Sequence, residues 1–178
     1  LFYLPFPLLT IISFYYLSVR FAGGSFFPAL FLTVTPAFLV ISQNIMLDIP
    51  MLGFFLASLA LFIRGSDKDD SHLLILSGIL AGVSCLIKYY GLMLLPVFII
   101  YSLVNSKKRP LLFLIIPILI FFLWNIHNFV FYGNSKFIST LIWMAAEFSP
   151  YHIFARLAAS LSFISGTSII LILLIPYL

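Results

Sequence analysis

The chain has 178 residues, of which 63% are hydrophobic, 18% aromatic and only 8% charged. A soluble domain usually carries about 25% charged residues, so this composition excludes an ordinary water-soluble protein and indicates a chain surrounded mostly by lipid. The formal net charge is +4, but the basic residues form no patch interleaved with aromatic residues, which argues against nucleic acid as a partner.

Seven apolar runs follow one another along the sequence. Several are shorter than the roughly 20 residues that cross a bilayer, but Tyr, Trp and Lys at their ends can extend them. No run alternates with a two-residue period, so helices rather than a barrel are predicted. The fold class is therefore an all-α, polytopic transmembrane helical bundle of about seven spans, and residues 1–178 form part of a single transmembrane domain. The runs lie at about 4–19, 26–43, 50–63, 73–87, 91–104, 110–130 and 154–178.

The first run does not resemble a signal peptide, because no charged segment precedes it and no small-residue cleavage site follows it. The chain starts without a methionine and stops inside an apolar run. We therefore expect an internal fragment of a longer protein.

Asp48 stands alone among apolar residues, two positions before Pro50. Proline suits the first turn of a helix, and an acid there is favoured by the helix dipole, so Asp48 can be a capping residue. Alternatively, it presents a carboxylate at the membrane surface that orients or deprotonates an acceptor hydroxyl. The spacing leaves both interpretations open.

The stretch 72–104 is almost continuously apolar and is interrupted only around Lys88. As one helix it would be about 50 Å long, too long for a single span. The flanking segments 64–68 and 105–110 are both short and basic, so both are expected in the cytoplasm, with two helices and a tight turn at Gly91 between them. The resulting topology places six basic residues inside and three outside. The inner set is Arg20, Arg64, Lys68, Lys107, Lys108 and Arg109, and the outer set is Lys88, Lys136 and Arg156.

Two other features of these runs have structural interpretations. Cys85 lies inside an apolar run and is predicted to pack as a small hydrophobic residue. The acidic segment 67–70 is predicted to be a solvated cytoplasmic turn without a chemical role.

Lys88 is followed by Tyr89 and Tyr90 at the predicted outer interface. Such a group can be an aromatic-belt anchor. It can also bind a lipid-linked phosphate, whose growing charge the ammonium would stabilise as a sugar leaves.

Asn125, His127 and Asn128 lie near the outer end of the long run 110–130. Polar groups at this depth tend to face the bundle interior, where they either form interhelical hydrogen bonds or contact a sugar or its acceptor. His127 has no second His or Cys at metal-ligand spacing, so no metal site is predicted.

Residues 131–153 are predicted to form an outer loop with a juxtamembrane helix, since apolar residues recur there at helical spacing. Glu147 in this segment and Arg156 at the start of the last run could pair with each other. Alternatively, Arg156 binds phosphate and Glu147 a sugar hydroxyl.

Four short motifs follow one another between about residues 30 and 135. In this order they resemble the protein O-mannosyltransferase and aminoarabinose-transferase-like superfamily, whose members are membrane glycosyltransferases of the GT-C fold. The motifs are Thr35-Pro36-Ala37-Phe38 with Ser42 and Asp48-Ile49-Pro50; Gly78 and Gly82 with Leu86-Ile87-Lys88-Tyr89-Tyr90-Gly91; Leu123-Trp124-Asn125; and Tyr132-Gly133-Asn134.

The resemblance implies an enzyme that takes a sugar from a dolichyl- or undecaprenyl-phosphate and transfers it, with inversion, to a hydroxyl of a protein, lipid or glycan on the outer or lumenal face. The lipid-linked sugar is a co-substrate, and no cofactor is expected. Asp48 would correspond to the family's second acidic position. Lys88 with Tyr89 would correspond to its phosphate contact, for which Arg156 is a looser candidate.

The sequence departs from this family at its start. The family's first acidic motif follows an earlier helix, and we expect the chain to begin after it, so the fragment itself is expected to be inactive. The expected location is a multi-pass position in a membrane, a prokaryotic cell membrane rather than the endoplasmic reticulum. A transporter or a carrier-lipid flippase is the alternative, although the polar groups gather at one interface and no repeat is visible.

Overall fold

The computed structural model describes residues 3–146 and residue 154, and this part of the chain is a helical bundle. The predicted all-α class is confirmed for these residues, where helices are the only regular secondary structure. Two short 3₁₀ segments, Tyr89–Met93 and Arg109–Leu114, lead into α6 and α7. The α-helices are α1 (Pro5–Phe21), α2 (Phe27–Val34), α3 (Pro36–Gln43), α4 (Asp48–Lys68), α5 (Ser71–Ile87), α6 (Leu94–Val104), α7 (Ile115–Tyr132) and α8 (Lys136–Ala146).

Two helical segments, Asp48–Lys68 and Arg109–Tyr132, have the length and apolar character needed to cross a bilayer. The segments Pro5–Phe21, Ser71–Ile87 and Tyr89–Val104 are apolar but shorter. Large apolar side chains are widely exposed on the outside of the bundle, as expected for a surface in contact with lipid. The arrangement of about seven spans remains a prediction.

The antiparallel helices α4 and α5 form the centre of the bundle. The buried hydroxyls of Ser58 and Ser77 each donate to the backbone carbonyl of the other residue, at 2.7 and 2.8 Å. On another side of α5, a Cβ added at Gly82 would lie 2.6 Å from the Ile120 side chain, so glycine allows α7 to approach closely. Small residues therefore fix how α4, α5 and α7 pack.

Helices α1 and α6 both run parallel to α4. Near the start of α4, the position of a Cβ at Gly53 lies 3.2 Å from the Phe6 carbonyl oxygen, and at the end of α4 Asp67 pairs with Arg20 at 3.1 Å. Phe98 of α6 stacks on Phe62 of α4, with ring centroids 3.9 Å apart. The predicted division of 72–104 into two antiparallel helices is confirmed, because α5 ends at Ile87 and α6 returns alongside α4.

The apolar run at 26–43 is not one continuous helix, because it forms two eight-residue helices, α2 and α3. The break lies at Thr35, whose backbone is extended (ψ 125°), as the following Pro36 favours. Each helix is about 12 Å long, so neither could cross a bilayer alone. Together they return the chain from the end of α1 to the start of α4.

Candidate functional site

The bundle has two charged ends. The Asp48 end comprises the start of α4 and the end of α5, with Asp48 and Lys88, and the Asp67 end comprises the opposite termini of these helices. Tyr3 reaches the Asp48 end, while Arg20 and Lys107 reach the Asp67 end. Asp48 and Lys107 therefore lie at opposite ends of the bundle, as the topology requires.

Asp48 and Lys88 form an ion pair, with 2.5 Å between Lys88 Nζ and Asp48 Oδ1. Asp48 is the first residue of α4, where the helix dipole favours a negative charge, and Lys88 directly follows α5, where it favours a positive one. The two side chains remain 44% and 32% exposed. Among the described residues, no side-chain hydrogen bond caps the start of α4, so Asp48 favours the start of the helix through the dipole and not as a hydrogen-bonding N-cap.

The turn after Lys88 is fixed by a close backbone contact. A Cβ added at Gly91 would lie 2.5 Å from the Cys85 nitrogen and 2.6 Å from the Ser84 carbonyl carbon, distances that real side chains do not adopt. The 3₁₀ segment therefore packs directly on the last turn of α5, and the tight turn predicted at Gly91 is confirmed. Lys88 itself has extended backbone angles, φ −146° and ψ 140°. Cys85 is buried, as predicted for a small packing residue.

Tyr3 also belongs to this end of the bundle, and the sequence did not single it out. Its hydroxyl donates to the Met46 carbonyl at 2.5 Å, two residues before Asp48. Its ring lies edge-to-face with Phe6, which contacts Phe54 of α4 in the same way. Burial raises the pKa of the Tyr3 phenol, and the charge of Asp48 acts in the same direction. A tyrosine at the edge of an apolar run is indistinguishable in sequence from an interfacial anchor.

Tyr89 packs against aromatic residues of α7 and α8. Its ring lies edge-to-face with Phe121 of α7 and Phe137 of α8, with centroids 6.2 and 5.2 Å apart. Tyr90 is exposed. The structure therefore brings Lys88 to Asp48 and Tyr89 to a separate aromatic cluster, and the phosphate contact assigned to Tyr89 remains a prediction.

The polar residues of α7 divide between two environments. Asn125 donates to the carbonyl of Phe121 in its own helix and accepts from the hydroxyl of Ser135, which directly precedes α8, both at 2.8 Å. The second bond ties α7 to the start of α8, and the interhelical hydrogen bonding considered for this group remains a prediction. Asn128 is buried, whereas His127 is exposed and its ring stacks parallel to Trp124, with centroids 5.5 Å apart. The contacts of His127 and Asn128 with a sugar or acceptor remain predictions.

The helix predicted within residues 131–153 exists as α8, and its position along a membrane surface remains a prediction. Glu147 and Arg156 lie outside the described residues, as does the last apolar run. Within residues 3–146, no three His, Cys, Asp or Glu side chains come together as a metal site would require.

The Asp67 end has a different electrostatic arrangement. Asp67 accepts from Arg20 and Tyr101, each at 3.1 Å, and lies 3.6 Å from Lys107. Lys107 also donates to the Ser66 carbonyl at 2.6 Å. The two basic segments flanking 72–104 therefore meet at one end, as predicted. The solvated turn predicted at 67–70 is exposed at 67–69, but the sequence did not indicate that Asp67 connects three helices and a loop.

Residues 3–126 match the sequence profile of the dolichyl-phosphate-mannose-protein mannosyltransferase family. The matched stretch contains Tyr3, Asp48 and Lys88 and ends one residue before His127. Neither a curated protein nor a solved structure is significantly similar to the chain.

Proposed function

Because the chain belongs to the dolichyl-phosphate-mannose-protein mannosyltransferase family, we propose that the protein transfers a sugar from a polyprenyl-phosphate carrier to an acceptor hydroxyl, with inversion. The acceptor is a hydroxyl of a protein, lipid or glycan. Family membership by itself indicates a glycosyltransferase that acts in a membrane. The lipid-phosphate donor, the acceptor hydroxyl and the inversion are what we add by proposal.

The observation that carries the proposal is the ion pair of Asp48 and Lys88 at one end of the bundle. The pair brings together an acid, which can bind the acceptor hydroxyl, and a cation, which can bind the carrier phosphate. The reaction needs both kinds of group. Exposed apolar residues lie next to Asp48 in the chain, including Ile45 and Leu47. Such a surface suits the level at which a bilayer's headgroups meet its acyl chains, where a polyprenyl carrier holds its phosphate.

In the proposed reaction, the acceptor oxygen attacks the anomeric carbon opposite the phosphate. A new carbon–oxygen bond forms as the bond to the phosphate oxygen breaks, and the carrier phosphate leaves with that electron pair. Lys88 stabilises the charge that grows on the leaving phosphate. Asp48 accepts the hydrogen bond of the acceptor hydroxyl and, as general base, can take its proton. Backside attack accounts for the inversion.

The proposed topology places the Asp48 end on the outer face of a membrane that the protein crosses about seven times. The Asp67 end carries Arg20, Lys107 and Arg109 and would face the cytoplasm, which follows the positive-inside rule. A prokaryotic cell membrane is the proposed location. A cysteine replacing Asp48 should react with a membrane-impermeant maleimide from outside, and one replacing Lys107 only after permeabilisation; labelling of both from one side would contradict this topology.

The function is tested by a transfer assay of the full-length protein with polyprenyl-phosphate sugars. Lys88→Ala should lower kcat/KM for the lipid donor, because it removes both the phosphate contact and the charge that stabilises the leaving phosphate. Asp48→Asn should lower kcat by at least about 100-fold with expression and membrane insertion unchanged, since a positioned acid–base group typically contributes 10²–10⁴-fold. The control Asp67→Asn should retain transfer. Normal transfer in both site variants would refute the assignment, and carrier binding without transfer by the unmodified protein would favour a flippase.

A further inference from the structure

Asp48 and Lys88 are needed separately by the proposed reaction but are bound to each other in the structure. The ammonium contacts the carboxylate at 2.5 Å, and Lys88 is the one charged partner of Asp48 among the described residues. About a third of the Lys88 side chain and somewhat less than half of Asp48 remain exposed. An incoming anion can therefore reach this pair without unfolding the helices.

We propose that the carrier phosphate and the Asp48 carboxylate compete for the Lys88 ammonium, so that carrier binding releases Asp48 to engage the acceptor hydroxyl. The inference rests on the proposed function and adds an order of events, in which the carrier binds before the acceptor. One positive charge cannot neutralise two anions equally, so the contact that Lys88 makes with the phosphate comes at the expense of its contact with the carboxylate.

The surroundings of the pair indicate which side chain moves. The backbone at Asp48 is held by the first turn of α4 and, two residues earlier, by the hydrogen bond from Tyr3 to Met46. Lys88 lies between α5 and the 3₁₀ segment, and its ammonium is carried on a flexible four-carbon stem. Lys88 therefore swings to the phosphate, while Asp48 stays in place.

The same competition acts on the product. A polyprenyl-phosphate sugar is a phosphodiester with one negative charge, whereas the released carrier is a phosphomonoester that carries up to two near neutral pH. After transfer, Asp48 gives up to water the proton that it took from the acceptor, pairs again with Lys88 and assists the departure of a ligand that would otherwise bind more tightly than the donor. A partly exposed ion pair of this kind changes an equilibrium by only about two- to fivefold, so the exchange is easily reversible.

The test measures the affinity of the full-length protein in nanodiscs for a polyprenyl phosphate without a sugar. Asp48→Asn should tighten binding about two- to fivefold, because it removes the competitor for Lys88. Asp67→Asn is the matched control, since it removes the same charge from the opposite end of the bundle, and its affinity should equal that of the unmodified protein. Lys88→Ala should weaken binding.

A double variant separates competition from simple charge repulsion. In the Lys88→Ala background, Asp48→Asn should no longer tighten binding, because the carboxylate acts through the lysine. Equal tightening with and without Lys88 would overturn the exchange, and so would unchanged or weaker binding in Asp48→Asn alone. If only the exchange fails, Lys88→Ala still weakens carrier binding; if Lys88→Ala leaves it unaltered, the phosphate site of the proposed function fails as well.

Discussion

The two ends of the α4–α5 hairpin use the same side-chain types in different ways. At the Asp67 end, one carboxylate lies among Arg20, Lys107 and Tyr101, which come from three different parts of the chain. At the Asp48 end, the carboxylate has a single cationic partner among the described residues. The first arrangement joins α1, α4, α6 and the following loop, whereas the second joins only α4 to the residue after α5.

The Asp67 network is therefore a structural contact between helices, whereas the Asp48–Lys88 pair is an ion pair that a ligand can exchange. Removing one donor from the Asp67 network leaves the others in place, so the network tolerates a lost contact but gains nothing from an incoming ligand. Among the described residues, Asp48 has no second cationic partner, so one anion that binds Lys88 is enough to break the pair. The following substitutions test this comparison, starting with the largest expected effect.

Gly91→Ala should damage the Asp48 end most. The added methyl would collide with the backbone of Cys85 and Ser84, and overpacking of this kind typically costs about 1–3 kcal/mol. The 3₁₀ segment must shift, Lys88 shifts with it, and both the melting temperature and sugar transfer should fall. Met93→Ala in the same segment is the control, because Met93 is exposed. Equal losses in the two variants would show that the glycine has no special role.

Asp67→Asn should lower thermal stability in detergent more than Asp48→Asn does. Hydrogen bonds to a charged group contribute about 1.5–3 kcal/mol, and an asparagine oxygen would keep part of this, so a loss of about 1–2 kcal/mol is expected. Asp48→Asn should change stability by about 1 kcal/mol or less, because it loses one partly exposed pair. Melting curves of both variants give the comparison, and a larger loss in Asp48→Asn would reverse the roles of the two ends.

Tyr3→Phe should have a moderate effect on transfer. It keeps the edge-to-face contact with Phe6 but removes the hydrogen bond to Met46. A hydrogen bond typically contributes about 0.5–1.5 kcal/mol. A loss of this size in the transition state lowers kcat about two- to tenfold. The donor KM should stay nearly constant, because Lys88 is untouched. Tyr15→Phe, on an exposed part of α1, is the matched control. A raised KM with constant kcat would place Tyr3 in donor binding instead.

Arg20→Gln should have the smallest effect of the four. The guanidinium is exposed, and Asp67 retains Lys107 and Tyr101. Transfer should be unaltered, and the melting temperature should fall less than in Asp67→Asn, by an amount that shrinks as salt is added. A loss as large as that of Asp67→Asn would mean that the network depends on this one partner.

The helices themselves are largely readable from the sequence. The apolar run at 110–130 corresponds to the 3₁₀ segment and α7, and the run at 73–87 corresponds to α5. The turn at Gly91 follows from the excessive length of a single helix. The break at Thr35 could have been predicted, because Pro36 disfavours a helical conformation of the residue before it. The run 26–43 is continuously hydrophobic, however, and hydrophobicity alone predicts one span.

The contacts between charged residues were not readable in the same way. Asp48 and Lys88 are 40 residues apart, and their pairing depends on how α4 and α5 align. Asp67 lies in a cluster of charges whose local pattern suggests only solvation, while Arg20 is 47 residues away. Placing polar residues at the same end of the bundle was possible from charge counting, but distances between side chains depend on packing.

The reciprocal hydrogen bonds of Ser58 and Ser77 bear on the Asp48–Lys88 pair although they contact no charged group. They lie about 15 Å along the helices from Asp48 and Lys88 and set the register of α4 against α5. A slip by one helical turn would displace one helix by about 5.4 Å relative to the other, enough to separate the carboxylate from the ammonium. Two uncharged hydroxyls in the middle of the bundle thus help to hold the register in which the acid and the cation at its end meet.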